Sequence, residues 1–512
     1  MLFRRSKPDA GMIEKSPMYG QQRFSISKLG TIFACGAALF MDGYVNNSIG
    51  TVNTLLKGLY RDVMDKTTSE TLTAIAFAGT VLGMLVFGYY SDAVGRKSGM
   101  IVSTIIILVF TALSAGPYYK GSSKGMVQML TAWRFFTGIG IGAEYPTGSV
   151  AAAEQTEELP GFFQHGPFVL ATNFQLVLGG VAANFVPLIL TWIVFDQYGA
   201  KGNNQLIWRL TMGLGIVPCL FVLPFRLIIN QPKMYTQNKI PAAKIPYILV
   251  LKKYWARLLC ISIVWFIYDF VAYPFGLYTS YITSQILGSN KSQEDSLGWS
   301  MLIYCFNIPG ALLGAFLVDL IGPKKSLCVG LALQIIVGYI MSGLFAHLSQ
   351  HIAAFCVVYG IFLSLGQLGA GTNMGLLASK LCATAVKGQF YGTAAAIGKV
   401  GAFSGTYAFQ SLQNYWYNPD SKKATDNLYY TAPFYLASSL ACVSLVLSFF
   451  FIPERYADCQ RDEDASFQQF LADHGFDIRH VGEPAMPDPM EPSNPGERAS
   501  PESCEKPPIV QS

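Results

Sequence analysis

The sequence has few charged residues for its length. Asp, Glu, Lys and Arg make up 13% of the 512 residues, whereas hydrophobic residues make up 52%. About a quarter of the residues of soluble domains are charged, so the composition excludes a large soluble enzyme and indicates a protein that crosses the bilayer many times. Basic tracts with interleaved aromatic residues are also missing, and the net charge is only +5. Nothing in the sequence therefore indicates a nucleic-acid partner.

The ten cysteines and five histidines form no recognisable chemical site. Most cysteines lie within apolar runs, and they show neither the paired spacing of a zinc site nor the loop positions of a disulfide framework. His165, His347 and His351 lie in loops or at span ends, without a nucleophile or metal-ligand arrangement. We expect no metal, no catalytic residues and no enzymatic activity. The N-terminus also lacks the pattern of a cleavable signal peptide.

Twelve apolar segments, here numbered spans 1 to 12, are long enough to cross a bilayer, which takes about 20 residues. They predict an all-α membrane protein with two six-helix halves, at residues 29–229 and 256–452. Residues 1–28 are predicted to be a cytoplasmic N-terminal segment and 230–255 a cytoplasmic connector. The tail, 453–512, is rich in Pro, Glu, Asp and Ser and is predicted to be disordered. The spans are 29–49, 71–90, 99–116, 126–149, 167–194, 207–229, 256–280, 297–320, 326–347, 352–378, 389–412 and 431–452.

The distribution of Lys and Arg predicts the orientation. These residues are about twice as frequent in the N-terminus, the connector and the turns on one side as in the loops on the other side. Because loops rich in Lys and Arg stay in the cytoplasm, both termini are predicted to be cytoplasmic, in a multi-pass protein of the plasma membrane. Asn290 begins an Asn-Lys-Ser sequon on the predicted outer side and is therefore a predicted glycosylation site.

Span 4 carries two charged residues within an apolar helix. Arg134 and Glu144 are ten residues apart, about 15 Å along a helix, and each would cost a few kcal/mol if it faced lipid at the bilayer centre. Gly138, Gly140 and Gly142 leave one flank of the same helix almost without bulk, so a neighbouring backbone can approach closely. The pattern indicates either a polar pathway between helices or a structural ion pair.

The two halves repeat each other's polar residues. Asp42 and Asp269 each lie about 13 residues into spans 1 and 7, and Gln175 and Lys399 lie at similar depths in spans 5 and 11. Spans 1 and 7, and spans 5 and 11, are equivalent if the halves are parallel repeats. The polar groups then meet near the middle of the membrane at the interface between the halves, where transporters of this kind hold their substrate.

The turn after span 2 resembles the signature loop of the major facilitator superfamily, and the turn after span 8 is a second copy. A glycine before the turn allows close helix contact, a glycine within it permits the turn, and its Asp can accept hydrogen bonds from N–H groups at a helix end. The resemblance implies a gate that locks the cytoplasmic side rather than a substrate site. The gate residues are Gly88, Asp92, Gly95, Arg96 and Lys97, with Asp319 in the second copy.

The polar residues of five spans resemble those of the phosphate:proton symporter family within this superfamily. Asp42 and Glu144 match its proton-carrying carboxylates, although the family usually has Asp at the second position. The resemblance implies a monomeric transporter driven by the proton gradient, without a cofactor, whose partners are a small phosphate-containing molecule, protons and the lipid bilayer. The residues that match its substrate site are Tyr145, Gln175, Trp265, Asp269, Tyr273 and Lys399.

Departures from the family pattern bear on the substrate. Inorganic phosphate carriers usually have a further Asp shortly after the first, whereas here Asn46 and Asn47 are uncharged, and Lys380 stands where phosphate and sugar carriers typically have an acidic residue. The first helix is similar to that of fungal glycerophosphodiester permeases, which carry glycerophosphoinositol and glycerophosphocholine. The resemblance implies glycerophosphodiester import. Inorganic phosphate transport is the alternative, sugar transport is a more distant one, and a transporter-like nutrient receptor is a third.

A phosphodiester is a monoanion at physiological pH, so one buried cation can serve as its counter-ion. Lys399 is expected to hold the phosphate, while Asp269 contacts the rest of the substrate or orients the site. The rings of Trp265, Tyr268 and Tyr273 could hold a choline group by cation–π contact, or could simply pack, which is the better interpretation for Tyr268. Asp42 is expected to pair with Arg134 in one state and to be protonated in another, which would couple proton binding to helix movement. A permanent pair is an equal alternative.

Overall fold

The computed structural model describes residues 26–159, 164–198, 203–241, 245–279, 282–283, 293–415, 428–454 and 459–476. All regular secondary structure within these ranges is helical. The predicted glycosylation site, Asn290, and the first 25 residues of the N-terminal segment lie outside the described residues.

The first half follows the order of spans 1 to 6. Span 4 continues from α5 through a π-helical turn, Tyr145–Ser149, into α6, and Thr172 separates α7 from α8 within span 5. The helices are α1 (Ile26–Gly36), α2 (Leu39–Leu59), α3 (Lys66–Ala93), α4 (Arg96–Ala115), α5 (Ser123–Glu144), α6 (Val150–Thr156), α7 (His165–Ala171), α8 (Asn173–Tyr198), α9 (Asn204–Leu214) and α10 (Ile216–Ile228).

The connector contains α11 (Lys233–Asn238), and the second half follows. Span 10 contains a second π-helical turn, Gln367–Gly371. The remaining helices are α12 (Tyr247–Leu277), α13 (Gln293–Cys305), α14 (Asn307–Ile321), α15 (Pro323–Gly343), α16 (Phe345–Leu348), α17 (Ile352–Gly366), α18 (Thr372–Lys380), α19 (Lys387–Tyr415), α20 (Leu428–Phe451) and α21 (Cys459–Asp473).

Helices lie at all twelve predicted span positions, but they differ in apolarity. Within the described ranges, nine helical stretches are long and apolar enough to cross a membrane. The helices at the other three positions, α2, α5 and α19, have 21, 22 and 29 residues and are more polar. They carry Asp42, Arg134 with Glu144, and Lys399, respectively. The charged candidate residues of the first half and of span 11 therefore lie on the three spans that are less apolar than the other nine.

Glycines allow neighbouring helices to lie backbone to backbone. A Cβ atom on Gly138 of α5 would lie 2.1 Å from the carbonyl oxygen of Ala76 in α3. The second half has a similar contact between α12 and α19, where a Cβ atom on Gly401 would lie 2.3 Å from the carbonyl oxygen of Phe266. Because these separations are shorter than any real Cβ contact, both positions require glycine.

Asp92 connects the first half to the beginning of α19 in the second half. Its carboxylate accepts hydrogen bonds from the N–H groups of Gly388 and Gln389, at 2.9 and 2.8 Å. Arg96 donates to Asp92 at 2.6 Å and to Glu154 at 2.9 Å, and all three side chains are fully buried. The end of the bundle that contains these residues is called the motif face below.

Asp319 makes the corresponding connection from the second half. It accepts hydrogen bonds from the N–H groups of His165 and Gly166, at 2.9 and 3.0 Å, at the beginning of α7. An ion pair between Lys380 and Glu157, at 2.5 Å, joins the halves at the same end. Each half thus places a carboxylate at a helix N-terminus of the other half, where hydrogen bonds and the helix dipole both stabilise the negative charge. Because these contacts join the two halves, the motif face is closed.

The glycines of the predicted gate have the expected conformations. A Cβ atom on Gly88 would lie 3.1 Å from the carbonyl oxygen of Gly388, so the two halves touch at this point. Gly95 has a φ of 152° and Gly322, in the second copy, a φ of 88°, both of which other residues rarely adopt. Lys97 is half-buried, and its N–H group faces the side chain of Gln231 at 3.5 Å.

Part of the predicted disordered tail is helical, because residues 459–473 form α21. Residues 455–458 and 477–512 of this tail lie outside the described residues. Phe467 and Leu471 of this helix are buried, Glu463 pairs with Arg257 at 2.9 Å, and Asp464 accepts a hydrogen bond from the Thr384 N–H group at 2.7 Å. The predicted connector also ends earlier, since α12 begins at Tyr247. In α21, a short amphipathic segment is stabilised as a helix because neighbouring residues cover its apolar side.

Candidate functional site

A cavity of about 100 Å³ lies between the two halves. It is lined from the first half by α2, α8 and the π-helical turn after α5, and from the second half by α12, α13, α18 and α19. Its lining combines aromatic rings, amide side chains and the charged side chains of Asp269 and Lys399. The predicted convergence of spans 1, 5, 7 and 11 is therefore present in the fold.

Lys399 is buried between two carboxylates from different halves. Its Nζ lies 3.3 Å from Asp42 Oδ2 and 3.7 Å from Asp269 Oδ2, and none of the three side chains is more than 2% exposed. Nζ also contacts the hydroxyl group of Tyr273. An ammonium group at this depth needs such partners, because an unpaired buried charge is costly.

Asp42 is the most extensively bonded carboxylate of the site. The hydroxyl group of Tyr145 donates to its Oδ2, and Tyr273 donates to the same atom at 3.2 Å. The amide of Asn46, one helical turn further along α2, donates to Oδ1 at 2.5 Å. Together with Lys399 at 3.3 Å, these bonds hold Asp42 in the interface between the halves.

Asp269 is less completely bonded. Within the described residues, its Oδ2 atom has no hydrogen-bond partner, and the nearest charge is the ammonium group of Lys399, 3.7 Å away. The carboxylate lines the cavity directly. Asp269 is therefore the acidic group of the site that is available to a bound molecule.

Arg134 does not pair with Asp42 in this structure, so the permanent pair is wrong, and a pair in another state of the protein stays a prediction. Its Nε donates to the carbonyl oxygen of Leu72 at 3.0 Å and its Nη1 to that of Val45 at 3.2 Å. Val45 is almost one turn further along α2 than Asp42, so Arg134 meets the backbone of α2 beyond the carboxylate. Within the described residues, its Nη2 has no hydrogen-bond partner.

Glu144 belongs to a second buried ion pair, which the sequence analysis missed. Its two oxygens accept hydrogen bonds from Nη1 and Nη2 of Arg226, at 2.5 and 2.7 Å, and Ser103 also donates to it. Arg226 additionally donates to the carbonyl oxygens of Met100 and Cys35. The signal was Arg226 within the apolar run of span 6, which needed a buried acidic partner.

Three aromatic rings pack together beside Lys399. The ring of Trp265 meets that of Tyr391 edge to face at 5.6 Å and that of Tyr145 at 6.4 Å. The Lys399 ammonium lies 5.2 Å from the ring centre of Tyr145 and 3.9 Å from that of Tyr273. These contacts are cation–π interactions, so the faces of both tyrosines already hold a cation.

Gln175, a predicted substrate residue, is not among the residues that line the cavity. On α8, the described lining residues are Asn173 and Leu176, and Thr172 lines it just before the helix. Residues two apart on a helix differ in direction by about 200°, so Asn173 and Gln175 face opposite sides. Asn173 therefore takes the position expected for Gln175, and its amide donates to Gln367 at 3.2 Å.

Comparison with known proteins agrees with this architecture. Residues 32–406 match the sequence profile of the Major Facilitator Superfamily. A solved structure of the proton:xylose symporter XylE, bound to 6-bromo-6-deoxy-D-glucose, aligns with 87% of this chain and 100% of its own, with a TM-score of 0.72 and 15% sequence identity. That similarity concerns the fold alone.

Other relatives are much more similar in sequence. The chain is 42% identical over 455 residues to the major glycerophosphoinositol permease of Candida albicans, covering 88% of this chain and 83% of that protein. It is 40% identical over 467 residues to a glycerophosphocholine permease of the same organism, covering 90% and 86%. This integral, multi-pass membrane protein therefore belongs to the major facilitator superfamily, in the group that includes the fungal glycerophosphodiester permeases.

Proposed function

We propose that this protein is a proton-coupled symporter that imports glycerophosphodiesters across the plasma membrane. The observation that carries the proposal is the buried Lys399 ammonium, which lies 3.3 Å from Asp42 and 3.7 Å from Asp269 in the interface between the halves. A buried anion needs a fixed positive partner, because hydrogen bonds alone do not offset the loss of its hydration. The similarity to a glycerophosphoinositol and a glycerophosphocholine permease supports a phosphodiester as that anion.

The charge balance of the site supports proton coupling. One ammonium group faces two carboxylates, so the empty site has one excess negative charge when both are ionised. A bound phosphodiester adds a second, which the low dielectric constant of a buried site strongly opposes. Binding one proton to a carboxylate restores the charge of the empty site. In this proposal, substrate and proton therefore enter together.

Asp42 is the proposed proton site. A phosphate group on Lys399 competes with Asp42 for the ammonium on which this carboxylate depends. Loss of a neighbouring cation favours the protonated form of a carboxylic acid. Asp269, which lines the cavity, is then left to orient the site or to contact the part of the substrate beyond the phosphate.

The proposed transport cycle opens and closes the motif face, which the Lys and Arg distribution assigns to the cytoplasm. Release of the substrate into the cell requires the bonds from Asp92 to α19 and from Asp319 to α7 to break together. These bonds join the halves without contacting the cavity. They therefore control access to the site while Lys399 and Asp42 control what binds there.

The test is uptake by purified protein in liposomes, with labelled glycerophosphoinositol and glycerophosphocholine, with and without an inward proton gradient. We expect accumulation only with the gradient. Asp42→Asn should abolish accumulation but retain exchange of internal for external substrate. Asp62→Asn, which changes an exposed aspartate outside the site, is the matched control and should behave as the wild type.

Two results would contradict the proposal. Strong competition by orthophosphate, with no uptake of either diester, would assign the protein to inorganic phosphate transport. Accumulation in Asp42→Asn that equals the wild type would exclude this residue as the proton site. Signalling without uptake of any of these compounds would favour a receptor.

A further inference from the structure

A second chamber adjoins the central cavity and is not used by the proposed phosphate site. Its volume is about 50 Å³, and it lies among α2, α8, α12, α13, α14, α15 and α17. Six residues line both spaces, among them Asn47, Tyr268, Tyr304 and Gln367. The chamber is therefore a continuation of the substrate cavity rather than a separate pocket. It is called the side chamber below.

The lining of the side chamber is largely apolar, and the polar groups within it are uncharged. Among the described residues that form it, none is Asp, Glu, Lys or Arg, and four carry amide groups. Two of these, Asn307 and Gln334, line the side chamber but not the central cavity, and they are only 5% and 7% exposed. Two phenol groups, of Tyr268 and Tyr304, face the same space.

Two glycines leave space for a hydrogen-bonded pair of side chains, Tyr304 and Asn47, in the lining of the side chamber. The hydroxyl group of Tyr304 donates to Asn47 Oδ1. A Cβ atom on Gly276 would lie 2.6 Å from that hydroxyl oxygen, and a Cβ atom on Gly180 would lie 2.6 Å from the Tyr304 ring. Alanine at either position would displace the pair, so the fold is specifically shaped around it.

Buried amides and phenols select ligands that can hydrogen-bond. A site built to bond hydroxyl groups rejects an analogue without them strongly, because its own polar groups are then left unpaired. A ring or chain of hydroxyl groups offers donors and acceptors to amide and phenol groups that the protein itself leaves without a partner. A quaternary ammonium group offers neither, and within the described lining it would find no carboxylate to balance its charge.

Two aromatic rings of the central cavity, those of Tyr145 and Tyr273, are unfavourable places for a quaternary ammonium group. Tyr145 and Tyr273 already face the ammonium of Lys399, at 5.2 and 3.9 Å from their ring centres. A second cation on these rings would lie beside the first and be repelled by it. The surroundings of these two rings therefore favour an anion bound to Lys399 and disfavour a second cation next to it.

We propose that the side chamber binds the neutral, hydroxyl-rich alcohol group of the phosphodiester, so that the protein prefers diesters of polyols such as inositol to those of choline. The inference rests on the proposed function, because it assumes a diester whose phosphate lies on Lys399. Asn307 and Gln334 are then specificity-determining residues for the group beyond the phosphate.

The test compares the transport kinetics of glycerophosphoinositol and glycerophosphocholine in liposomes. Wild-type protein should transport the inositol diester with at least tenfold higher kcat/KM. Gln334→Met and Asn307→Leu keep the side-chain size but remove the amide, and each should raise the KM for the inositol diester about tenfold, the size expected from one lost hydrogen bond to a buried group. The KM for the choline diester should change less than twofold.

Asn184→Leu is the matched control. Asn184 is also 5% exposed and donates to a carbonyl oxygen of its own helix, but it lines neither space. We expect this variant to keep the wild-type ratio of the two substrates. Equal effects of the chamber variants on both diesters, or a wild-type preference for the choline diester, would overturn the inference while leaving diester transport intact. Failure of the wild type to carry either diester would instead overturn the proposed function itself.

Discussion

Asp92 and Asp319 are equivalent residues that bond in opposite directions across the interface between the halves. Asp92 accepts two N–H groups at the beginning of α19, at 2.9 and 2.8 Å, and Asp319 accepts two at the beginning of α7, at 2.9 and 3.0 Å. The two aspartates lie 227 positions apart in the sequence. Each aspartate therefore accepts the hydrogen bonds of a helix N-terminus in the other half. The closed motif face thus has approximate twofold symmetry.

We expect neutralisation of either aspartate to weaken the whole motif face. In Asp92→Asn and in Asp319→Asn, a neutral amide replaces a charged acceptor at a helix N-terminus, which weakens both the hydrogen bonds and the interaction with the dipole. Hydrogen exchange should therefore become faster in the peptides around both Gly388 and Gly166 in each variant. Exchange that changes only in the directly bonded peptide would show that the two connections open independently.

Lys399→Ala should abolish uptake of every phosphodiester. The variant removes the cation of the site and leaves two buried carboxylates without a counter-ion, so no anion can bind there. Lys57→Ala, which changes an exposed lysine, should transport normally. Thermal denaturation of the variant in detergent shows whether it is folded. Normal uptake by folded Lys399→Ala protein would place the anion site elsewhere.

Asp269→Asn should have a different effect from Lys399→Ala. Asp269 has an oxygen without a hydrogen-bond partner among the described residues, so we expect it to contact the part of the substrate beyond the phosphate. The variant should raise KM unequally for different diesters. Uptake measured with the inositol and choline diesters tests this, and equal losses for both would indicate a role in orientation or coupling.

The ion pair between Glu144 and Arg226 should contribute to stability. Glu144→Gln leaves a buried guanidinium group without a carboxylate, and breaking a buried pair in this way typically costs about 3–5 kcal/mol. We expect a lower melting temperature in Glu144→Gln, and recovery of most of it in the double variant Glu144→Gln/Arg226→Met. The sequence resemblance also assigns a coupling proton to Glu144. If the double variant is stable but no longer accumulates substrate, that second role is supported.

Docking of α21 should weaken as pH rises. Burial raises the pKa of Asp464, while the nearby Lys387 and the hydrogen bonds from Thr384 act in the opposite direction. Because the docked carboxyl group has a higher pKa than the released one, the docked helix binds more protons, and its stability falls as pH rises through the pKa of the docked form. A spin label at the exposed Gln469 should be less mobile at pH 5 than at pH 8. In Asp464→Asn this dependence should disappear, and a dependence that persists would assign it to another group.

Much of the architecture was predictable because it follows from composition and periodicity. The twelve helical positions arise from apolar segments of sufficient length, and the meeting of Asp42, Asp269 and Lys399 follows from their equal depths in repeated halves. A charged residue within a span needs a partner away from lipid. In the predicted fold, the interface between the two halves is where such partners meet.

The partners of individual charges were not predictable, since they depend on helix rotation. Arg134 reaches the backbone of α2 at Val45 rather than the carboxylate of Asp42, a difference of almost one helical turn. Asn173, not Gln175, faces the cavity, because the break at Thr172 sets the direction of every later side chain in α8. A sequence gives the depth of a residue in the membrane far better than it gives the direction in which the residue points.

The three less apolar spans, formed by α2, α5 and α19, have a consequence for how the protein is assembled. A polar helix is poorly retained by hydrocarbon on its own, so we expect each to settle only beside the helix on which it packs most extensively. For α5 and α19 these neighbours are α3 and α12, which are synthesised earlier. For α2 the neighbour is α8, which leaves the ribosome more than a hundred residues later. We therefore expect α2 to reach its final place in the membrane after α5, although α2 is made before α5.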